Sequence, residues 1–299
     1  MRVRLELAAA ALAAFGLGSC SSPSPPREIP PAPIVIAGAE HLESLLRGEI
    51  LAFRDRYPKS SEIRVVANGS AEGMEQLVNG EVTMAVLTRE LTDPEVSAAF
   101  QREGLKAFPV AWEGIAVIVN PASPIEQISR TELARIYGGD TKEWASLGWR
   151  RGGRILAMTT VPKLGLYGFL QQTLLSGEPY GPETYAEPSH EEIVSLVALH
   201  PNAIGCVPRD VVDDRVRSLR ISAALGLPYI ALDQESLVLR TYPLNRALSL
   251  CVGGTNPPGT ATDFINFVSS MDGQRIVARH GYAPAVVPIQ IVRTAQEAE

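Results

Sequence analysis

Apolar positions along this chain switch between short continuous runs and segments with helical spacing. Ile34-Val35-Ile36 is a short apolar run and predicts a strand. Leu42, Leu45, Leu46, Ile50 and Phe53 then recur at helical steps, which predicts a helix over 42–57. Residues 63–67 read as the next strand. Ser70 is expected to cap a helix carrying Met74, Leu77 and Val78, and Asn79-Gly80 to stop it. A third strand is expected at 82–87. Strand–helix–strand–helix–strand with short links implies a parallel sheet covered by helices.

A second unit of the same kind follows. Residues 114–120 form a strongly apolar strand ended by Pro121. Ser129-Arg130-Thr131-Glu132 has the capping-box pattern, with a helix to Tyr137 closed by Gly138-Gly139. Strands are expected at 154–158 and 203–207, and helices at 164–175 and 191–199. A further strand at 248–252 and helices at 261–268 and 273–280 complete the pattern. Residues 209–239 have weak periodicity and receive no assignment. No internal repeat is visible.

Length, 299 residues, allows two packed domains or one large one, and 45% hydrophobic residues supply a core. The net charge is −6 and the basic residues are scattered, which argues against a nucleic-acid partner. The first residues change the picture. Arg2 and Arg4 precede a short apolar run, and Leu17-Gly18-Ser19-Cys20 places small residues before a cysteine. This reads as a lipoprotein signal, residues 1–19, with Cys20 as the lipidated mature N-terminus. An ordinary secretory signal cut nearby and a short anchor helix are the alternatives. Residues 20–32 are Ser- and Pro-rich and read as a tether, unable to pack a core. Cys206 and Cys251 both lie in apolar runs, where a free cysteine behaves as a small hydrophobe; two lone cysteines are not a disulfide framework, and pairing in an oxidising compartment is the alternative.

The ordered set of blocks from about Ile34 to Pro288 resembles the PstS-like, phosphate-binding branch of the type II periplasmic solute-binding proteins of ABC transporters. The blocks are Phe53-Arg54-Asp55-Arg56-Tyr57-Pro58, Asn68-Gly69-Ser70-Ala71-Glu72-Gly73 and Thr88-Arg89-Glu90-Leu91-Thr92. Further on come Ile136-Tyr137-Gly138-Gly139 with Trp144, then Tyr242-Pro243-Leu244, Gly273-Gln274-Arg275-Ile276-Val277 and Gly281-Tyr282-Ala283-Pro284. The resemblance implies an α/β fold of two lobes joined by a hinge, each a mostly parallel sheet flanked by helices. Lobe one would be 33–113 plus 248–299, and lobe two 114–247. Ligand would sit outside the carboxyl ends of the strands, where helix N-termini present free N–H groups.

The ligand loops depart from the family's pattern. Ala39 and Glu40 stand where the family has Ser or Thr. Ser70 is kept, but Glu72 replaces a small residue; Thr88 offers a hydroxyl like the family's. In lobe two, Thr159 falls at the family's Arg position, and Lys163-Leu164-Gly165 replaces Ser-Gly-Thr. The resemblance therefore implies a ligand site at Ala39, Glu40, Ser70, Thr88, Lys163 and Gly165. A carboxylate about 6 Å from a phosphate dianion costs on the order of 5 kcal/mol at an effective dielectric near 20. Glu40 and Glu72 in the cleft would oppose tight phosphate binding; pointing to solvent at helix starts, they would only favour the helix dipole.

Other functional classes find less support. His41, His190, His200 and His280 have no metal-ligand spacing, so no metal and no cofactor are expected. Arg89 reads as one half of a salt bridge within its lobe. Trp112, Trp144 and Trp149 read as packing residues. No Ser/His/Asp order, Gly-x-Ser-x-Gly elbow or nucleotide phosphate loop is present, so no enzyme activity is expected. The expected protein is a monomeric, lipid-anchored receptor of the cell envelope. It would bind phosphate or another small molecule and serve ABC permease subunits. The competing reading is a non-transport sensor or envelope interaction protein that kept the fold and lost phosphate.

Overall fold

The computed structural model describes residues 32–92, 94, 95, 97, 105–253 and 259–285. The signal and nearly all of the tether, with Cys20, lie outside these residues, as do 286–299. In chain order the strands are β1 (Ile34–Gly38), β2 (Ile63–Ala67), β3 (Met84–Leu87), β4 (Leu105–Val119), β5 (Gln127–Ser129) and β6 (Leu156–Thr160). They continue as β7 (Tyr185–Glu187), β8 (Ala203–Pro208), β9 (Arg217–Ser218), β10 (Arg220–Ser222), β11 (Asn245–Gly253) and β12 (Ala283–Pro284). The α-helices are α1 (Glu43–Arg56), α2 (Ser70–Asn79), α3 (Arg130–Tyr137), α4 (Gly165–Leu175), α5 (His190–Leu199), α6 (Gln234–Val238), α7 (Gly259–Val268) and α8 (Met271–Arg279).

The strand order is β2-β1-β3-β11-β4-β8-β6-β7. β2, β1 and β3 are parallel, and so are β8, β6 and β7. Between these two parallel groups run β11 and β4, antiparallel to each other and to their neighbours. β4 belongs to both groups: its first part pairs with β11 as far as Gly114, and its second part pairs with β8 from Ile115. The result is two α/β lobes that share one long strand.

Each lobe has a core on both faces of its sheet. In lobe one, Phe53 of α1 packs edge-on against Phe264 of α7 over Ile34, Ile36 and Leu250, while Met74 and Leu77 of α2 cover Ala85, Leu87 and Cys251 on the other face. In lobe two, Tyr137, Trp144, Leu166 and Leu170 pack on Ile115 and Val117, and Ile193, Val194 and Val197 of α5 cover Ala116 and Ile118. Cys206 and Cys251 are free, buried and in different cores.

The capping box at Ser129 forms as the sequence suggests: its hydroxyl accepts from the Glu132 N–H at 3.1 Å, and Glu132 accepts from the Ser129 N–H at 2.8 Å. Ser70 differs from expectation. It is the first residue of α2, and Gly69 at φ 95° is the N-cap. β4 begins earlier than its apolar run suggests, because Pro109 interrupts the pattern and the first five residues are exposed or half-buried. The missing N–H of Pro109 is accommodated where the register shifts between Leu248 and Ser249 of β11. The unassigned stretch becomes a 3-10 turn, two short strands and α6.

Glu49 lies on the buried face of α1 beside Ile50 and Phe53. It is 1% exposed, and neither carboxylate oxygen has a hydrogen-bond partner among the described residues. Burial pushes its carboxyl up to about 8, and the charge of Arg279 on α8 offsets only part of that. The folded chain therefore holds this proton more tightly than the unfolded chain. Stability should fall as pH rises from the ordinary carboxyl value through about 8. Glu49→Gln is expected to change little at pH 5 and to stabilise by about 1–3 kcal/mol at pH 9, one pKa unit being about 1.4 kcal/mol. Urea unfolding at both pH values checks this; an unaltered pH dependence would refute it.

Candidate functional site

The carboxyl ends of the parallel strands in both lobes face each other. From lobe one come the turn after β1 (Ala39, Glu40, His41), the start of α2 (Gly69, Ser70) and the end of β3 (Thr88). From lobe two come the starts of α4 (Gly165) and α5 (His190). The two sides touch. A Cβ on Gly69 would lie 2.7 Å from the Lys163 carbonyl oxygen, and one on Gly165 would lie 2.2 Å from Thr88 Oγ1 and 2.7 Å from Ser70 Oγ. Only a bare backbone fits at either position.

Among the expected site residues, Ser70, Thr88 and Gly165 converge. Ser70 and Thr88 are fully buried; the Thr88 N–H donates to Ser70 Oγ at 3.3 Å, and the two hydroxyls are 3.4 Å apart. Ala39 is buried, but its N–H donates to the Val86 carbonyl at 3.1 Å and is used by the sheet. Lys163 is exposed, and its carbonyl oxygen lies against Gly69 of lobe one. Glu72 is exposed on the first turn of α2. Arg89 makes a bidentate pair with Glu95 at 2.7 and 2.6 Å, within its own lobe. Thr159, at the position expected for the family's Arg, is buried.

Glu40 takes part in something the sequence did not suggest. It lies on a 3-10 turn with His41, and His190 approaches from lobe two. The two imidazoles meet edge to face with centroids 5.4 Å apart. One ligating atom from each of Glu40, His41 and His190 falls within 4.8 Å of the others. Behind them, His41 Nε2 stands 3.1 Å from Glu113 Oε1, and Arg246 Nε donates to Glu113 Oε2 at 2.6 Å. Glu113 and Arg246 are directly opposed on β4 and β11, where the strands pass from one lobe to the other. Arg246 also lies over the Phe169 ring of α4, 5.7 Å from its centroid.

The electrostatics follow from this packing. Burial alone would raise the Glu113 carboxyl, but the charges of Arg246 and His41 hold it down at about 2. Burial alone would lower His41, but Glu113 raises it to about 9. Burial, reinforced by His41 and Arg246, lowers His190 to about 4, so that ring is neutral near pH 7. Glu40 lies below its ordinary value, burial being outweighed by His41 beside it. Spacing rules missed His41, Glu113, His190 and Arg246 because these residues are far apart in the chain. The signal that could have found His190 is the rule that named the other loops. It follows the parallel strand β7, which the sequence reading left out.

The PBP superfamily domain profile matches residues 21–272. The chain belongs to this superfamily, in its PstS-like branch. It is 24% identical over 265 residues to the phosphate-binding protein PstS of Pseudomonas aeruginosa strain PAO1, covering 83% of this chain and 81% of that one. It is 27% identical over 273 residues to PstS of Bacillus subtilis strain 168, covering 88% of this chain and 83% of that one. In fold it is similar to an ABC-type phosphate transport receptor from Vibrio cholerae, with a TM-score of 0.70 and 23% identity over 84% of this chain and 99% of that one. Its fold matches that of non-catalytic periplasmic solute-binding proteins, and membership of the PstS-like branch implies an extracytoplasmic location. As a PstS-like protein, the chain has the two-lobed frame of its solved relatives.

Arg246→Met should cost about 3–5 kcal/mol, because it leaves the Glu113 carboxylate buried without its cation. Adding Glu113→Gln should recover more than half of that loss. Urea unfolding of both variants checks this; two independent, additive losses would refute the pairing.

Proposed function

We propose that the chain is an exported, lipid-anchored solute receptor serving an ABC permease, and that it holds inorganic phosphate weakly or not at all. In this reading it is a monomer whose lobes, 33–113 with 248–299 and 114–247, close on the solute. Cys20 is the lipidated end and 20–32 the tether. The relatives' names, phosphate-binding protein and phosphate transport receptor, support the receptor role.

The observation that carries the departure from phosphate is the seat of Gly165 on Ser70 and Thr88. These are the hydroxyls the resemblance assigns to the anion, and α4 covers them while they bond to each other. Thr159 supplies no charge where a guanidinium would form a charge-assisted pair worth roughly 1.5–3 kcal/mol. Glu40, at the same cleft, adds a negative charge beside any anion.

A thermal melt of the detergent-solubilised chain in millimolar phosphate, at fixed ionic strength, tests this. A tight site at 1,000 times its dissociation constant would gain about 4 kcal/mol and several degrees. The expected result is a shift no larger than sulfate gives; a clear phosphate-specific rise would overturn it. Anchoring is tested separately: Cys20→Ser should move the exported protein from the membrane to the soluble fraction. A variant that stays in the membrane would refute lipidation at Cys20.

A further inference from the structure

The group formed by Glu40, His41 and His190 lies, like Ser70 and Thr88, at the carboxyl ends of the strands and calls for a ligand of different chemistry. The His190 residue is 3% exposed, and its Nε2 has no hydrogen-bond partner among the described residues. The same holds for His41 Nδ1, on a side chain that is 8% exposed, and for Glu40 Oε2. His41 Nδ1 stands 3.9 Å from Glu40 Oε1, beyond hydrogen-bond range. Buried polar atoms without partners are costly, and three in one place need a common explanation.

The atoms left free are those a metal ion uses. His41 faces Glu113 with Nε2, and a carboxylate on that nitrogen fixes the tautomer that leaves Nδ1 as a donor toward a metal. Arg246 also approaches His41 Nε2, at 3.5 Å, but its charge is balanced by Glu113. An ion taking Nδ1 displaces the proton that makes His41 cationic, and the Glu40 carboxylate then faces the ion. Two imidazoles and a carboxylate form a recurrent ligand set for borderline divalent ions, bound at about 2.0–2.2 Å. Such distances place ligands about 3.3 Å apart in a tetrahedron. The observed spread of up to 4.8 Å then requires each side chain to move inward by less than about 1 Å.

We propose that Glu40, His41 and His190 bind one divalent cation of the zinc class across the cleft, so that the ion ties α5 of lobe two to the β1 turn of lobe one. Glu113 acts as a positioning residue through His41. This stands apart from the phosphate question, since the titration below is read without phosphate.

The test is isothermal titration of Zn²⁺ into the full chain, purified in detergent and freed of metal with a chelator. The expected result is one ion per chain with a dissociation constant on the order of 1 μM or tighter. His190→Ala and Glu40→Gln should each weaken binding at least tenfold, and Glu113→Gln by about 10–100-fold. His200→Ala, away from the group, should leave binding unchanged. His190→Asn serves if the alanine variant does not fold, as judged by its melt. Absence of stoichiometric binding would overturn the proposal. So would binding equally strong in the His190 and Glu40 variants, which would place the ion elsewhere.

Discussion

The pair of Glu113 and Arg246 is the constraint on which the arrangement of the two lobes depends. These residues face each other on the two strands that pass between the lobes, and both are almost fully buried. A charge pair in such a place is costly to desolvate and persists where the partners compensate each other's charge, even though Arg246 Nη1 has no hydrogen-bond partner among the described residues. Arg246 engages Glu113 and the Phe169 ring; Glu113 engages Arg246 and His41. The strand crossing is thereby coupled to the cleft through a single imidazole. Whatever holds His41 in the cleft also acts on the crossing.

The cleft itself combines two chemistries. One part is the meeting of Ser70, Thr88 and Gly165, where a helix start covers two hydroxyls that already bond to each other. The other is the set of Glu40, His41 and His190, where buried donor atoms converge without partners. An anion site needs positive charge and free N–H groups; here Glu40 brings a carboxylate that offsets the charge of His41, and His190 is neutral. Both parts sit at the carboxyl ends of the strands in the same two-lobed frame.

Much of the frame was legible in the sequence because it rests on local rules. The Ser129 and Glu132 capping box, the apolar runs of β1, β6, β8 and β11, and the Gly80 stop of α2 all follow from neighbouring residues. Ser70 was misjudged as a cap because Gly69, with its positive φ, occupies that position. β7 was missed because three residues with exposed sides carry no apolar run. Of the site, Ser70, Thr88 and Gly165 were legible through the family's loops. His41, His190 and Glu113 were not, since only the fold brings the turn after β1, the start of α5 and the middle of β4 together.

A crystal grown with both zinc and phosphate distinguishes the proposed cation site from an anion site in this cleft. A single anomalous zinc peak is expected among the Glu40 carboxylate, His41 Nδ1 and His190 Nε2, with Gly165 still seated on Ser70 and Thr88. Phosphate held between Ser70, Thr88 and Gly165, with no metal at the histidines, would contradict the cation site.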